Sequence, residues 1–134
     1  MPILLQEDAN QIRDFVNIHD VVSAQLKVLK EAKANYQIFN VGSGRSTRVI
    51  DLAKRVCQVA GIKFQPIIKG IFRINAPRHS IMDISKLKKL GWRPKHSLDD
   101  SIKEYLSWVK NYPEAKRYWS KIYKIMAKEK ILNK

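Results

Sequence analysis

Residues 38–46 read IFNVGSGRS, a short β-rich apolar run followed by a glycine turn and the start of a predicted helix. A strand, a glycine turn and a helix in this order are typical of dinucleotide-binding loops. The full fingerprint requires a third glycine three residues after Gly44, where this chain has Thr47. It also requires a carboxylate after a second strand about twenty residues on, and the apolar run at 64–68 leads to Lys69 instead. The pattern therefore favours a structural glycine turn.

Size and cysteine content restrict the chain to one ordinary domain. Its 134 residues, 45% of them hydrophobic, suffice for one core and not for two. No apolar run approaches the roughly 18 residues of a membrane span, and no signal-peptide pattern opens the sequence, so we expect a cytoplasmic protein. The single cysteine, Cys57, excludes an internal disulfide and is expected to be a buried thiol. The three histidines, His19, His79 and His96, are too scattered to indicate a metal site.

The chain is strongly basic, with 26 Lys and Arg against 12 Asp and Glu and a formal net charge of +14. Such a balance favours polyanionic partners, either nucleic acid or phosphorylated small molecules. Part of the excess is local, because residues 110–134 hold eight basic and two acidic side chains. The rest is spread along the chain, as on a solvated surface.

Three apolar runs predict short strands, at 14–18, 37–41 and 63–68. The third is predicted near a sheet edge, because Pro66 cannot donate a hydrogen bond to a neighbouring strand. Helical patterns alternate with these runs, so the predicted class is α/β.

Helical periodicity and capping signals predict the helices. Asp20 is predicted to cap the first helix, with Val22, Leu26 and Leu29 on one apolar face. The later helices are predicted over about 47–60 with Gly61 as the stop, from Asp83 to Gly91, from a Ser97–Asp100 capping box, and from Pro113 through a last basic helix.

Three separated segments carry a resemblance: EDANQIRDFVNIHDVV at 7–22, FNVGSGRS at 39–46, and FRINAPRHSIMDISKLKKLGWRP at 72–94. In order and spacing they resemble the C-terminal half of extended short-chain dehydrogenase/reductases. The most similar branch is the NAD-dependent nucleotide-sugar 4-epimerases, of the UDP-glucose 4-epimerase type, with the sugar dehydratases next. The match covers roughly residues 3–109. In that family the glycine turn belongs to the substrate-binding domain, which agrees with a structural role for it here.

The resemblance implies a small α/β substrate-binding domain, with few short strands and four to five helices, over residues 1–110. A basic helical extension would follow at 111–134. The N-terminal Rossmann domain of the family, with its glycine loop for NAD and its catalytic Tyr-x-x-x-Lys, is not found in these 134 residues. Tyr112 and Lys116 have the right spacing, but Pro113 marks a helix start between them. We therefore expect no catalytic residue, no bound cofactor and no metal in this chain, hence a truncated protein without activity alone.

By the same resemblance, Arg13 and Arg73 lie where the family grips the diphosphate of a nucleoside-diphosphate sugar. Planar arginine forks suit this group well. Alternatives remain open for both: an ion pair with Asp14 or Asp20 for Arg13, and a solvated loop cation for Arg73. We expect the substrate to bind weakly.

The chain departs from the family motif in the residues that follow Arg73. Asn75 and Ala76 replace a Gly-Asp pair, whose carboxylate would lie near the ribose hydroxyls. Arg78 matches the second arginine of the motif, and an ion pair with a carboxylate such as Asp83 is an alternative role. We regard Arg78 and Asn75 as supporting residues. Ala9 likewise stands where the family has glycine.

Helix capping departs from the family as well. Arg48 stands where a Ser or Thr would cap the second helix, a role that Ser46 or Thr47 would then take.

A second reading belongs to another class: a basic interaction module that binds nucleic acid through the C-terminal helix. Aromatic side chains there interleave with basic ones, as stacking with phosphate contact requires: Tyr118, Trp119 and Tyr123 with Arg117, Lys121 and Lys124. Against it, Trp119, Ile122 and Met126 form one apolar stripe, typical of a helix packed on a core. The extension would then cover apolar surface on the domain or on a second copy. A separate cofactor-domain chain is a further partner consistent with the resemblance.

Overall fold

A computed structural model describes residues 3–133, except for the side chains of residues 116, 117, 119 and 120. The strands are β1 Ile3–Leu5, β2 Ile12–Arg13, β3 Thr47–Arg48, β4 Pro66–Ile68, β5 Phe72–Arg73 and β6 Leu132–Asn133. The helices are α1 Ile18–Lys30, α2 Val49–Ala60, α3 Ser85–Lys89, α4 Leu98–Val109 and α5 Ala115–Lys128, with a 3₁₀ turn at Ala32–Ala34. The α/β class, with few short strands and five helices, is confirmed.

The strands form three separate pairs. β1 and β4 are parallel, joined by a crossover that contains α2, while β2 with β3 and β5 with β6 are antiparallel. Within residues 3–133, β4 pairs on one side only, and Pro66 lies at its first position opposite Ile3. The predicted edge strand is thus confirmed in shortened form.

Two predicted strands are wrong. Residues 14–17 and 37–41 contain no regular secondary structure, and α1 already begins at Ile18. A strand is stabilised by pairing with a neighbour, and among the described residues neither segment has a strand beside it. Phe39 and Val41 instead pack on a core cluster, and the Lys86 ammonium donates to the Ile38 carbonyl at 2.9 Å. Local β propensity was therefore outweighed by the lack of a partner.

The start of α1 also differs from prediction. Asn17, not Asp20, caps the helix, since its Oδ1 accepts from the His19 amide at 2.8 Å. Asp20 is 2% exposed in the first turn, and its carboxylate accepts from the amides of Lys95 and His96, both at 3.0 Å. The residue therefore connects α1 to the segment before α4.

The other capping predictions are mostly confirmed. Ser97 and Asp100 form both bonds of a capping box at α4. The predicted Asp83 cap of α3 is wrong, because Ile84 occupies the N-cap position and Asp83 Oδ1, one residue earlier, accepts from the Ser85 amide at 2.9 Å. Gly61 ends α2 with a left-handed φ of 67°, which glycine adopts without strain.

The predicted cap of α2 is wrong. Neither Ser46 nor Thr47 caps the helix, because the amides of Val49 and Ile50 donate to the carbonyls of Gln11 and Ala9, both at 2.9 Å. The 6–11 loop thus satisfies the start of α2 with its own backbone.

Two small clusters form the core. One contains Leu5, Ala9 and Ala53, packed against Ile3, Val49, Ile50 and Phe64. The other contains Ala24, Ile84, Leu87 and Trp92, packed against Val28, Phe39 and Val41. The apolar face predicted for α1 is therefore not the face buried in the core. Ala24 faces the core, whereas Val22, Leu26 and Leu29 are 45–81% exposed. Cys57 is a buried free thiol, as expected.

The C-terminal extension is attached through a strand. The helix α5 is present. Of its predicted apolar stripe, Ile122 is 48% exposed, Met126 is half-buried, and the side chain of Trp119 lies outside the described residues. After α5 the chain reverses, and β6 pairs with β5, so the end of the chain is attached by main-chain pairing, while docking through the stripe stays a prediction. None of the helices within residues 3–133 is long and apolar enough to cross a membrane.

Candidate functional site

The glycine turn is organised by the carboxylate of Asp14. Its Oδ1 accepts from the Ser43 amide at 2.7 Å and the Ser43 hydroxyl at 2.6 Å, and its Oδ2 accepts from the Gly44 amide at 2.9 Å. A Cβ on Gly42 would lie 2.6 Å from both Asp14 Oδ2 and Met82 Cβ, so glycine is required by this close approach. The Ser43 and Gly44 amides, which a bound phosphate would need as donors, already donate to the Asp14 carboxylate. The geometry supports the structural interpretation of the turn.

A tight turn follows β5 and carries the predicted binding motif. The Ala76 amide donates to the Arg73 carbonyl at 3.3 Å, and Asn75 has a left-handed φ of 61°. This position of a type II turn favours Gly, and Asn next. Ala9, the other position where we expected glycine, has a φ of 62°. Both replacements therefore keep the backbone conformation that a glycine would adopt.

Arg13 reaches the end of the same turn from β2. Its guanidinium donates from Nη2 to the Pro77 carbonyl and from Nη1 to the Arg78 carbonyl, each at 2.7 Å. A third bond joins Nη1 to the Ile12 carbonyl at 2.9 Å. The alternative of an ion pair with Asp14 or Asp20 is wrong, since those carboxylates hold the glycine turn and the 95–96 segment. Three bonds leave part of the five-donor guanidinium for a further acceptor.

Backbone contacts fix this loop against β2. The Ile12 amide donates to His79 Nδ1 at 3.2 Å, and the Ser80 amide donates to the Ile12 carbonyl at 3.0 Å. The residues that the resemblance singled out, Arg13, Arg73, Asn75 and Arg78, thus belong to one turn and the strand beside it.

Arg78 forms a structural ion pair, but with partners other than Asp83. Its Nη1 lies 2.5 Å from a Glu7 oxygen and its Nη2 lies 2.6 Å from an Asp8 oxygen. The Arg78 hydrogen bond, followed by the bond from the Asn10 amide, lowers the pKa of Asp8 from 3.8 to about 2. Because two carboxylates neutralise Arg78, its charge is already compensated and it is poorly suited to bind a phosphate.

Arg73 is the contrasting case. It is exposed on β5, and among the described residues its guanidinium has no ion-pair partner. A planar guanidinium without a partner can donate two parallel hydrogen bonds to one phosphate group. The turn therefore begins at Arg73, whose positive charge has no ion-pair partner among the described residues. The guanidinium of Arg13 binds the carbonyls of Pro77 and Arg78, which follow the turn.

Two features of this region were missed by sequence reasoning. The acidic pair Glu7 and Asp8 in an otherwise basic chain was the available signal for the partners of Arg78. The pairing of β6 with β5 had no such signal, because residues 132 and 133 lack strand periodicity.

A large groove lies elsewhere, between the 14–18 segment, α2 and α4. It encloses about 850 Å³ and has mainly apolar walls, including Phe15, Ile102, Tyr105 and Trp108. The ring of Trp108 also lies 4.7 Å, centroid to centroid, from that of Tyr112. Apolar walls do not match a charged diphosphate, so the groove and the arginines are chemically distinct.

No group of three or more His, Cys, Asp or Glu side chains that could hold a metal occurs in the part of the chain that the structure describes. The three histidines instead contact different partners: Glu104 for His19, the Ile12 amide for His79 and Asp20 for His96. Tyr112 lies in the connection between α4 and α5, so it is not on one helix with residue 116.

Comparison with known proteins identifies relatives over most of the chain. The model of the NAD dependent epimerase/dehydratase family matches residues 1–42. A dTDP-L-rhamnose 4-epimerase of Burkholderia thailandensis is 37% identical over 108 residues, covering 80% of this chain and 30% of that protein. A putative UDP-glucose 4-epimerase of Methanocaldococcus jannaschii is 33% identical over 109 residues, covering 78% of this chain and 33% of that protein.

A solved structure gives the same result. The UDP-glucose 4-epimerase of Thermotoga maritima with UDP-glucose has a TM-score of 0.74 and 32% identity, covering 82% of this chain and 35% of that one. The chain thus spans about a third of the length of the relatives it matches.

Proposed function

We propose that this chain, which is related to part of the NAD-dependent epimerase/dehydratase family of nucleotide-sugar enzymes, binds the diphosphate of a nucleoside-diphosphate sugar through residues 1–110. The observation that carries the proposal is the turn after β5. It presents Arg73, which has no ion-pair partner among the described residues, and the guanidinium of Arg13 donates to the carbonyls of Pro77 and Arg78. Both arginines lie in segments whose sequence resembles the family's motifs.

The two arginines have different roles in this proposal. Arg73 supplies the main charge-assisted hydrogen bonds, since nothing in residues 3–133 competes for its guanidinium. Arg13 holds the turn and contributes its remaining N–H groups. Arg78, with Glu7 and Asp8, anchors the loop to the 6–11 segment. Asn75 sets the turn geometry, and Ala76 offers no carboxylate for the ribose, so the affinity is expected to be weak.

We also propose that the 134-residue polypeptide alone does not transform a nucleotide sugar. Its sequence has no glycine loop for NAD, and Tyr112 and Lys116 are not placed on one helix. In an intact family enzyme, hydride would pass from C4 of the sugar to NAD and return on the opposite face. A cofactor domain, on the same or a separate chain, would be needed for that step.

Calorimetric titration of the 134-residue chain with UDP tests the binding proposal. Saturable binding is expected, and Arg73→Ala should weaken it by about 1.5–3 kcal/mol, the range for a hydrogen bond to a charged group. Arg45→Ala is the matched control, because it removes one positive charge from an exposed arginine on the glycine turn. If both variants lose the same amount of UDP-binding free energy, the loss reflects only the lower net charge. That result would contradict a binding site at Arg73.

A further inference from the structure

The C-terminal strand lies directly beside the proposed diphosphate-binding turn. β6 pairs with β5 in antiparallel register, with Leu132 opposite Arg73 and Asn133 opposite Phe72. The pairing continues by one bond, since the Ile74 amide donates to the Ile131 carbonyl at 3.0 Å. The backbone on both sides of Arg73 is thus held by residues from the end of the chain.

A tight reversal after α5 delivers this strand. The Ile131 amide donates to the Met126 carbonyl at 2.9 Å, closing the helix end, and Lys130 has a left-handed φ of 53°. β6 is therefore placed by α5 and its cap, and both elements lie beyond residue 109, where the resemblance to the family ends. The extension is a feature of this chain that adds to the shared domain.

The register has a consequence for the Arg73 side chain. Residues directly opposite each other in an antiparallel pair have their Cβ atoms about 4.5–5.5 Å apart on the same face. Leu132 is half-buried, and this register places its side chain on the same face of the pair as the methylene stem of Arg73. An apolar neighbour on the stem restricts its rotamers while leaving the guanidinium in solvent.

We propose that β6 is a positioning element of the diphosphate site, which orders the Phe72–Ile74 backbone and the stem of Arg73 before the ligand binds. This inference rests on the proposed function. Ordering a long side chain in advance removes part of the entropic cost of binding.

The test compares UDP binding by the full chain, by a truncation after Lys130, and by Leu132→Gly. Both changes should raise the Kd for UDP by about three- to tenfold, and amide exchange at Ile74 should become faster in the truncated chain. The truncation also removes the charge of Lys134, so Lys134→Ala is the charge-matched control and should bind like the full chain.

A double-mutant cycle separates positioning from general destabilisation. In the Arg73→Ala background, the truncation should change the Kd by less than twofold, because the side chain that β6 positions is gone. If UDP binds and depends on Arg73 but the truncation leaves the Kd unchanged or lowers it, this inference is wrong while the proposed function stands. If the full chain does not bind UDP, both are wrong.

Discussion

Replacing Asp14 by Asn should destabilise the protein substantially although the change removes only one charge. The two carboxylate oxygens together accept bonds from the Ser43 amide and hydroxyl, the Gly44 amide and, at 3.3 Å, the Met82 amide. An asparagine keeps one acceptor oxygen, but its NH₂ group is a donor and would replace the carboxylate oxygen that these N–H and O–H groups now bind. With the oxygen directed at Ser43, the bonds to Gly44 and Met82 are lost.

The expected magnitude follows from these two bonds. A hydrogen bond to a charged group contributes about 1.5–3 kcal/mol. The Gly44 bond is short, whereas the Met82 bond is long, and both lie near solvent, so we take about 1.5 kcal/mol for the first and about 0.5–1.5 kcal/mol for the second. The free energy of unfolding should fall by about 2–3 kcal/mol, a large part of the roughly 5–15 kcal/mol of a typical domain.

Urea unfolding followed by tryptophan fluorescence and circular dichroism measures this change. Asp51→Asn is the matched control, because it makes the same chemical change at the start of α2. Asp51 forms an exposed ion pair with Arg48 there, and this pair should contribute no more than about 0.5 kcal/mol. A loss below 1 kcal/mol for Asp14→Asn, indistinguishable from the control, would refute the view that this carboxylate organises the glycine turn.

Three further predictions concern the same region. Gly42→Ala should cost about 2–3 kcal/mol in unfolding free energy, because its Cβ would meet two atoms at 2.6 Å, whereas Gly91→Ala, with open space and only an unfavourable φ of 82°, should cost about 1 kcal/mol. Asn75→Gly should leave thermal stability within about 0.5 kcal/mol of the wild type, and Asn75→Val should lower it by about 1–2 kcal/mol, since a β-branched residue is strained at a φ of 61°. The pKa of Asp8 is lowered in the folded state, so its bond to Arg78 stabilises the fold above pH 3.8 and that contribution is lost as the pH falls towards about 2. Urea midpoints between pH 5 and pH 2 should therefore fall less steeply for Asp8→Asn, and parallel curves would contradict the assignment.

The sequence predicted those features of the fold that depend on neighbouring residues. The Ser97 capping box and the stop at Gly61 each require only a few consecutive positions, and both occur as expected. The strands at 14–18 and 37–41 were wrong because a strand requires a partner, and residues 3–133 supply none beside these segments.

Long-range partners could not be derived from local patterns. The alternative role considered for Arg78 was an ion pair with a nearby carboxylate such as Asp83, five residues away, but its partners are about seventy residues earlier, at Glu7 and Asp8. Asp14 likewise binds residues about thirty and seventy positions away. The family resemblance did select residues that meet in space, since Arg13 of the first segment binds the loop of the third segment, at 72–94. The pairing of β6 lies beyond the resemblance, and no local pattern in the sequence indicates it.

The central claim is that a nucleoside diphosphate binds at the turn after β5 and not at the glycine turn. A titration of the ¹⁵N-labelled chain with UDP, followed through its amide signals, distinguishes the two sites directly. We predict saturable shifts at Arg13 and in the 73–79 loop, with Ser43 and Gly44 unaffected because their amides are bound to Asp14. Shifts confined to Ser43 and Gly44 or to α5, or none at millimolar UDP, would contradict the account.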